Sequence, residues 1–123
     1  MRRFHKLLAG ASWMGEYGDP DTDDWSFLQR YSPYHNLDEA TAYPPILFTT
    51  STRDDRVHPA HARKMVRKML DMGLPAAYYY ENIEGGHGGA ADNKQRAFMS
   101  TLAYAFLERT LAGAAAGGKK VEL

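Results

Sequence analysis

Cysteine is absent from this sequence, which excludes disulfides, thiolate metal sites and a cysteine nucleophile. Its absence is compatible with any compartment, and a soluble chain in either the cytoplasm or the periplasm is expected. An excess of charge is also missing: 15 basic side chains face 15 acidic ones, for a formal net charge of zero. That balance leaves no electrostatic case for nucleic acid or an anionic membrane surface as a partner. No apolar run approaches the ~20 residues of a membrane span. The basic start from Met1 to Gly10 has an apolar stretch of only Leu7 to Ala9, too short for a secretory signal.

What is present suits one small domain. A chain of 123 residues can bury a real core, and its 44% hydrophobic and 24% charged content is ordinary for a globular protein. Residues 1–23 lack periodicity and read as an ordered loop with at most a turn of helix. A short helix is expected from Asp24 to Tyr31, stopped before Pro33. After a polar connection, Ile46-Leu47-Phe48-Thr49-Thr50 reads as a strand buried on both faces.

The next helix has the clearest pattern. Pro59 suits its first turn, and Ala62, Met65, Val66, Met69 and Leu70 fall on one stripe. Gly73 stands where a helix-ending glycine belongs, and Pro75 blocks continuation. A second strand is expected over 76–83. A final helix follows from about Asp92 to about Leu111, with Phe98, Met99, Leu102, Ala105 and Phe106 as its stripe. The small-residue stretch over 112–123 reads as a flexible tail.

The order strand, helix, strand, helix predicts an α/β fold with parallel pairing. Two strands are too few for a covered parallel sheet. The sequence therefore reads as the end of a larger sheet, or as a unit that associates to protect an open edge.

Chemistry concentrates on the loops after the two strands, where open α/β sheets gather their active-site groups. Asp54 follows the first strand, and His87 follows the second inside Gly85-Gly86-His87-Gly88-Gly89. An acid and then a histidine on successive loops is the order of the last two members of an α/β-hydrolase triad. A carboxylate on imidazole Nδ1 fixes the tautomer and leaves Nε2 free to take a serine proton. Taken singly, Asp54 is a turn or capping residue and His87 an exposed loop residue.

His58 and His61 are three apart at a helix start, but no third metal ligand accompanies them, so surface histidines are expected and no metal or cofactor is assigned. Asp19, Asp21, Asp23 and Asp24 lack the spacing and terminal glutamate of an EF-hand and read as a solvated acidic turn.

Residues 1–111 resemble the C-terminal part of the catalytic domain of the prolyl oligopeptidase family of serine peptidases. The resemblance rests on Asp54-Asp55-Arg56-Val57 with Pro59 shortly after, and on Gly86-His87-Gly88. It extends to Arg3-Phe4-His5-Lys6, to Trp13 through Tyr17-Gly18, and to Tyr31-Ser32-Pro33 with His35-Asn36. It implies the C-terminal portion of an α/β-hydrolase fold with an incomplete sheet. It makes Asp54 the triad acid and His87 the general base. It also implies that Trp13 stacks on a substrate proline, Tyr17 and Val57 line the pocket, and Arg56 hydrogen-bonds a substrate carbonyl.

The family's serine sits on a Gly-x-Ser-x-Gly elbow, and none occurs in this sequence. The nearest string, Gly10-Ala11-Ser12-Trp13-Met14, ends in methionine, and no strand is expected before Ser12. The expectation is a fragment of a peptidase for proline-containing peptides, with acid, base and part of the pocket but no nucleophile, inactive alone. Two alternatives remain. One is a non-catalytic module associating with itself or a complementary N-terminal fragment. The other is part of a different α/β-hydrolase, such as an esterase, against which the Trp13 and Tyr17 pattern argues.

Overall fold

A computed structural model describes residues 1–74 and 77–117. Among them the elements run α1 (Met14–Tyr17), α2 (Trp25–Tyr31), β1 (Ile46–Ser51), α3 (Ala60–Asp71), β2 (Ala77–Asn82) and α4 (Asn93–Gly117). β1 and β2 pair in parallel, with Ile46 opposite Ala77 and Ser51 opposite Asn82. Among the described residues the sheet has these two strands, so both outer edges lack a partner strand there.

Alternation along β2 places one helix on each face of the sheet. Tyr78 and Tyr80 meet Phe106 and Phe98 of α4, with ring centroids 5.6 and 5.4 Å apart. Tyr79 and Glu81 point the other way, where Arg63 of α3 grips the Glu81 carboxylate through Nε at 2.9 Å and again through a terminal nitrogen. Thr52, just beyond β1, and the Tyr79 hydroxyl also donate to Glu81. This cluster ties α3, both strand ends and the start of the Asp54 loop together.

Helix α3 begins where sequence chemistry places it. The Ala60 N–H donates to His58 Nδ1 at 3.0 Å, giving an otherwise orphaned donor a partner. At its other end Gly73 adopts φ +69, Leu74 N–H reaches Met69 O at 2.9 Å, and Gly73 N–H reaches Leu70 O at 3.0 Å. This is a Schellman ending, with Leu74 and Met69 both buried. Val66 is buried too, while Leu70 at the edge of the expected stripe is exposed. Pro75 and Ala76, expected to block that helix and open the second strand, lie outside the described residues.

Two stretches differ from expectation. Residues 1–23 are not mainly loop: 3₁₀ turns at Phe4–Lys6 and Leu8–Trp13 lead into α1. Such short turns close through i→i+3 bonds and leave no 3.6-residue pattern to read. α4 continues past Leu111 to Gly117, because its alanines favour helix regardless of any apolar stripe. The rest of the expected tail, residues 118–123, lies outside the described residues. No helix among those described is long and apolar enough to cross a membrane.

Candidate active site

The acid and the histidine are positioned by the C-terminal ends of neighbouring parallel strands. Thr52 N–H continues the strand pairing by donating to Asn82 O at 2.9 Å, and the two loops then open side by side. Asp54 follows a tight turn closed by its own N–H on Ser51 O at 3.2 Å. Its Oδ1 accepts the backbone N–H groups of Arg56 and Val57, each at 2.9 Å. His87 Nδ1 then lies 3.0 Å from both carboxylate oxygens.

Burial by itself would push the Asp54 carboxyl up. The N–H groups of Val57 and Arg56, together with His87, outweigh it and hold the pKa below the ordinary value. The carboxylate is therefore charged at neutral pH and oriented before any substrate arrives. Its side chain is 11% exposed, against 44% for His87. The acid is thus sheltered while the ring remains open to a reacting group.

Asp54 and His87 line one cavity of about 480 Å³ with Val57, His58, His61 and Met99. Of the residues assigned to substrate binding, Val57 faces this cavity, while Trp13, Tyr17 and Arg56 are not among its lining residues. Trp13 is half-buried, and Tyr17 packs edge-on against Phe4 at 6.0 Å. Their segment is nonetheless joined to the acid loop, since Ala9 N–H donates to Arg56 O at 3.3 Å.

Ser12 does not line the cavity, and its hydroxyl donates to Ala9 O at 2.6 Å. Ser51 does line it but is buried, with Oγ directed at Gly89 O at 3.4 Å.

His58, whose Nδ1 is occupied by the Ala60 N–H, and His61 sit beside the acid–histidine pair, a placement their helix-start spacing did not announce. The acidic turn folds back on the N-terminus. His5, Asp19 and Asp21 present their ligand atoms within 4.8 Å of one another. Lys6 Nζ lies 2.7 Å from Asp21, and Lys6 first and then His5 hold that carboxyl at about 2. The cations answering this cluster belong to the chain itself.

Sequence reading also missed the polar support behind His87. The Asn82 carboxamide closes the base of the glycine loop, and Gln95 holds that carboxamide from α4. An asparagine three residues before Gly85 carried a faint signal, since such side chains commonly bond backbone N–H groups just ahead.

Known proteins resemble this chain over most of its length. The family model for the prolyl oligopeptidase family matches residues 1–114. The chain is 51% identical over 112 residues to an uncharacterized peptidase of Sinorhizobium fredii, covering 90% of this chain and 15% of that protein. It is 42% identical over 99 residues to a prolyl endopeptidase of Elizabethkingia miricola, covering 77% of this chain and 14% of that one. The solved structure of a post-proline cleaving enzyme from Rickettsia typhi matches with a TM-score of 0.87 at 34% identity, over 91% of this chain and 16% of that chain. This chain spans only about 15% of the length of such curated relatives.

Proposed function

Given that this chain belongs to the prolyl oligopeptidase family, we propose that it supplies the acid and base of a serine peptidase triad acting on proline-containing peptides. Asp54 holds His87 with the proton on Nδ1, leaving Nε2 free. Nε2 removes the proton from a serine hydroxyl as that oxygen attacks the carbonyl of the scissile bond, then returns it to the departing amine. Water hydrolyses the acyl-enzyme with the same ring as base. The observation that carries this reading is the 3.0 Å approach of His87 Nδ1 to both Asp54 oxygens.

The serine comes from a segment outside these 123 residues. Supporting this are the missing elbow, the Ser12 hydroxyl committed to Ala9 O, and the buried Ser51. Val57 borders the substrate next to the triad, while Trp13, Tyr17 and Arg56 complete a proline pocket with groups this chain does not contain. By itself the chain is inactive.

The test is a chimaera in which this chain replaces the matching segment of the Elizabethkingia miricola prolyl endopeptidase. The expected result is hydrolysis of a chromogenic peptide after proline by the chimaera and none by the isolated chain. A folded chimaera that cleaves no such peptide would overturn the peptidase reading. Turnover by the isolated chain that disappears in Ser12→Ala would overturn the assignment of the serine.

A second reading is association through the open side of the sheet. It is favoured by β1, which has no strand on its outer edge among the described residues, and by large exposed apolar side chains on α4 such as Tyr104 and Leu111.

A further inference from the structure

We propose that Asn82, held in place by Gln95, is the positioning residue that aims His87 at Asp54; this rests on the triad reading given above. Asn82 is the last residue of β2 and is 4% exposed. Three of its carboxamide bonds go to the loop that carries His87 and the fourth goes to Gln95 of α4. Oδ1 accepts the N–H groups of Glu84 at 3.0 Å and Gly85 at 3.1 Å. Nδ2 donates to Gly89 O at 2.8 Å and to Gln95 Oε1 at 2.9 Å.

These bonds bracket the histidine from both sides. Gly89 N–H returns to Gly86 O at 2.9 Å, so His87 and Gly88 are the central residues of a tight turn. At the base of that turn Gly85 and Gly89 touch so closely that a Cβ on Gly85 would overlap the Gly89 carbonyl. Asn82 grips the chain at both of these residues. The base stays shut, and the ring at the apex keeps one bearing.

Gln95 reinforces the direction in which the carboxamide faces. Its Oε1 accepts the Ala91 N–H at 2.9 Å and the Asn82 NH₂, while its Nε2 donates to Glu84 at 2.6 Å. Flipping Asn82 would set NH₂ against two N–H donors and oxygen against two acceptors. The network therefore admits one orientation. None of these Asn82 bonds goes to the imidazole, so it acts through loop geometry.

The experiment reads the imidazole directly in the 123-residue chain, by long-range ¹H–¹⁵N NMR correlations of His87 at alkaline pH. In the unmodified chain His87 is expected to carry its proton on Nδ1, with a downfield-shifted resonance that Asp54→Asn abolishes. In Asn82→Ala, with the fold verified by circular dichroism and amide dispersion, that resonance is lost and the proton moves to Nε2. Gln95→Ala, in the half-exposed first turn of α4, reduces the Nδ1-protonated population and serves as the decisive variant should Asn82→Ala not fold. Retention of the unmodified tautomer in folded Asn82→Ala, or in Gln95→Ala where it serves as the decisive variant, would overturn the proposal. So would its absence from the unmodified chain. None of these readouts depends on peptide hydrolysis, so failure of the peptidase reading is separately visible in the chimaera.

Discussion

His87 Nδ1 lies 3.0 Å from each oxygen of the Asp54 carboxylate, and Oδ1 of that carboxylate is also anchored by two backbone N–H groups at 2.9 Å. The acid is therefore fixed by its own loop, and the imidazole docks onto a group that is already oriented. Such preorganisation avoids the cost of arranging the pair during the reaction.

Asp54→Asn removes the charge and, by donating an N–H where the carboxylate accepted one, stabilises the wrong tautomer of His87. In the chimaeric peptidase this substitution is expected to lower kcat on the order of 10⁴-fold, as in the well-studied triads. Steady-state kinetics on the chromogenic proline peptide measures it. A loss smaller than about tenfold would remove Asp54 from the triad.

Acid should weaken the fold through Glu81. The hydrogen bond from Arg63 first, then those from Thr52 and Tyr79, hold its carboxyl at about 2, below the ordinary 4.5. Because the folded state has the lower pKa, this stabilisation is complete above the ordinary value and is lost as pH falls through about 2. Asp54, also lowered, adds to the trend in the same direction. Urea denaturation across the acid range should therefore show stability falling with pH, with a shallower fall in Glu81→Gln. Parallel curves for the two chains would discount the cluster.

Gly10→Ala tests the joint between the N-terminal turns and the acid loop. A Cβ at this buried glycine would run into the Phe4 carbonyl, a backbone group that cannot swing aside. The expected cost is about 1–3 kcal/mol, typical of overpacking, read from the urea midpoint. Ala9 beside it donates to Arg56 O, so the acid loop should also lose amide protection in hydrogen exchange. An unchanged midpoint would mean that the turn relaxes freely.

The exposed apolar residues of α4 predict self-association of the isolated chain. Tyr104 is 72% exposed and Leu111 65%. Sedimentation velocity should show concentration-dependent oligomers, diminished in the double variant Tyr104→Lys with Leu111→Lys. A stable monomer across the concentration range would count against the association reading.

Helix α3 was legible because independent signals coincide there: Pro59 at its start, the Val66 and Met69 stripe, and Gly73 at its end. The turns over 4–17 were not, because each closes locally without a period. The α4 stripe was only partly informative. Met99, Leu102 and Phe106 are half-buried, whereas Phe98 and Ala105 are exposed and apolar residues occur around the whole helix. A helix apolar on all sides does not disclose which side meets the sheet.

The sequence by itself determined the alternation of strands and helices, the parallel pairing it demands, and the loops that carry Asp54 and His87. Those properties arise from side-chain periodicity and turn chemistry, which act over a few residues and can be read in order. Only the tertiary structure decided that the acid and the ring meet at 3.0 Å, that Ala9 braces Arg56, and that Asn82 and Gln95 close the loop behind His87. Those contacts join residues whose separation along the chain bears no relation to their distance in space. Their geometry is set by how the two strand ends and the helices pack, and no local pattern encodes it.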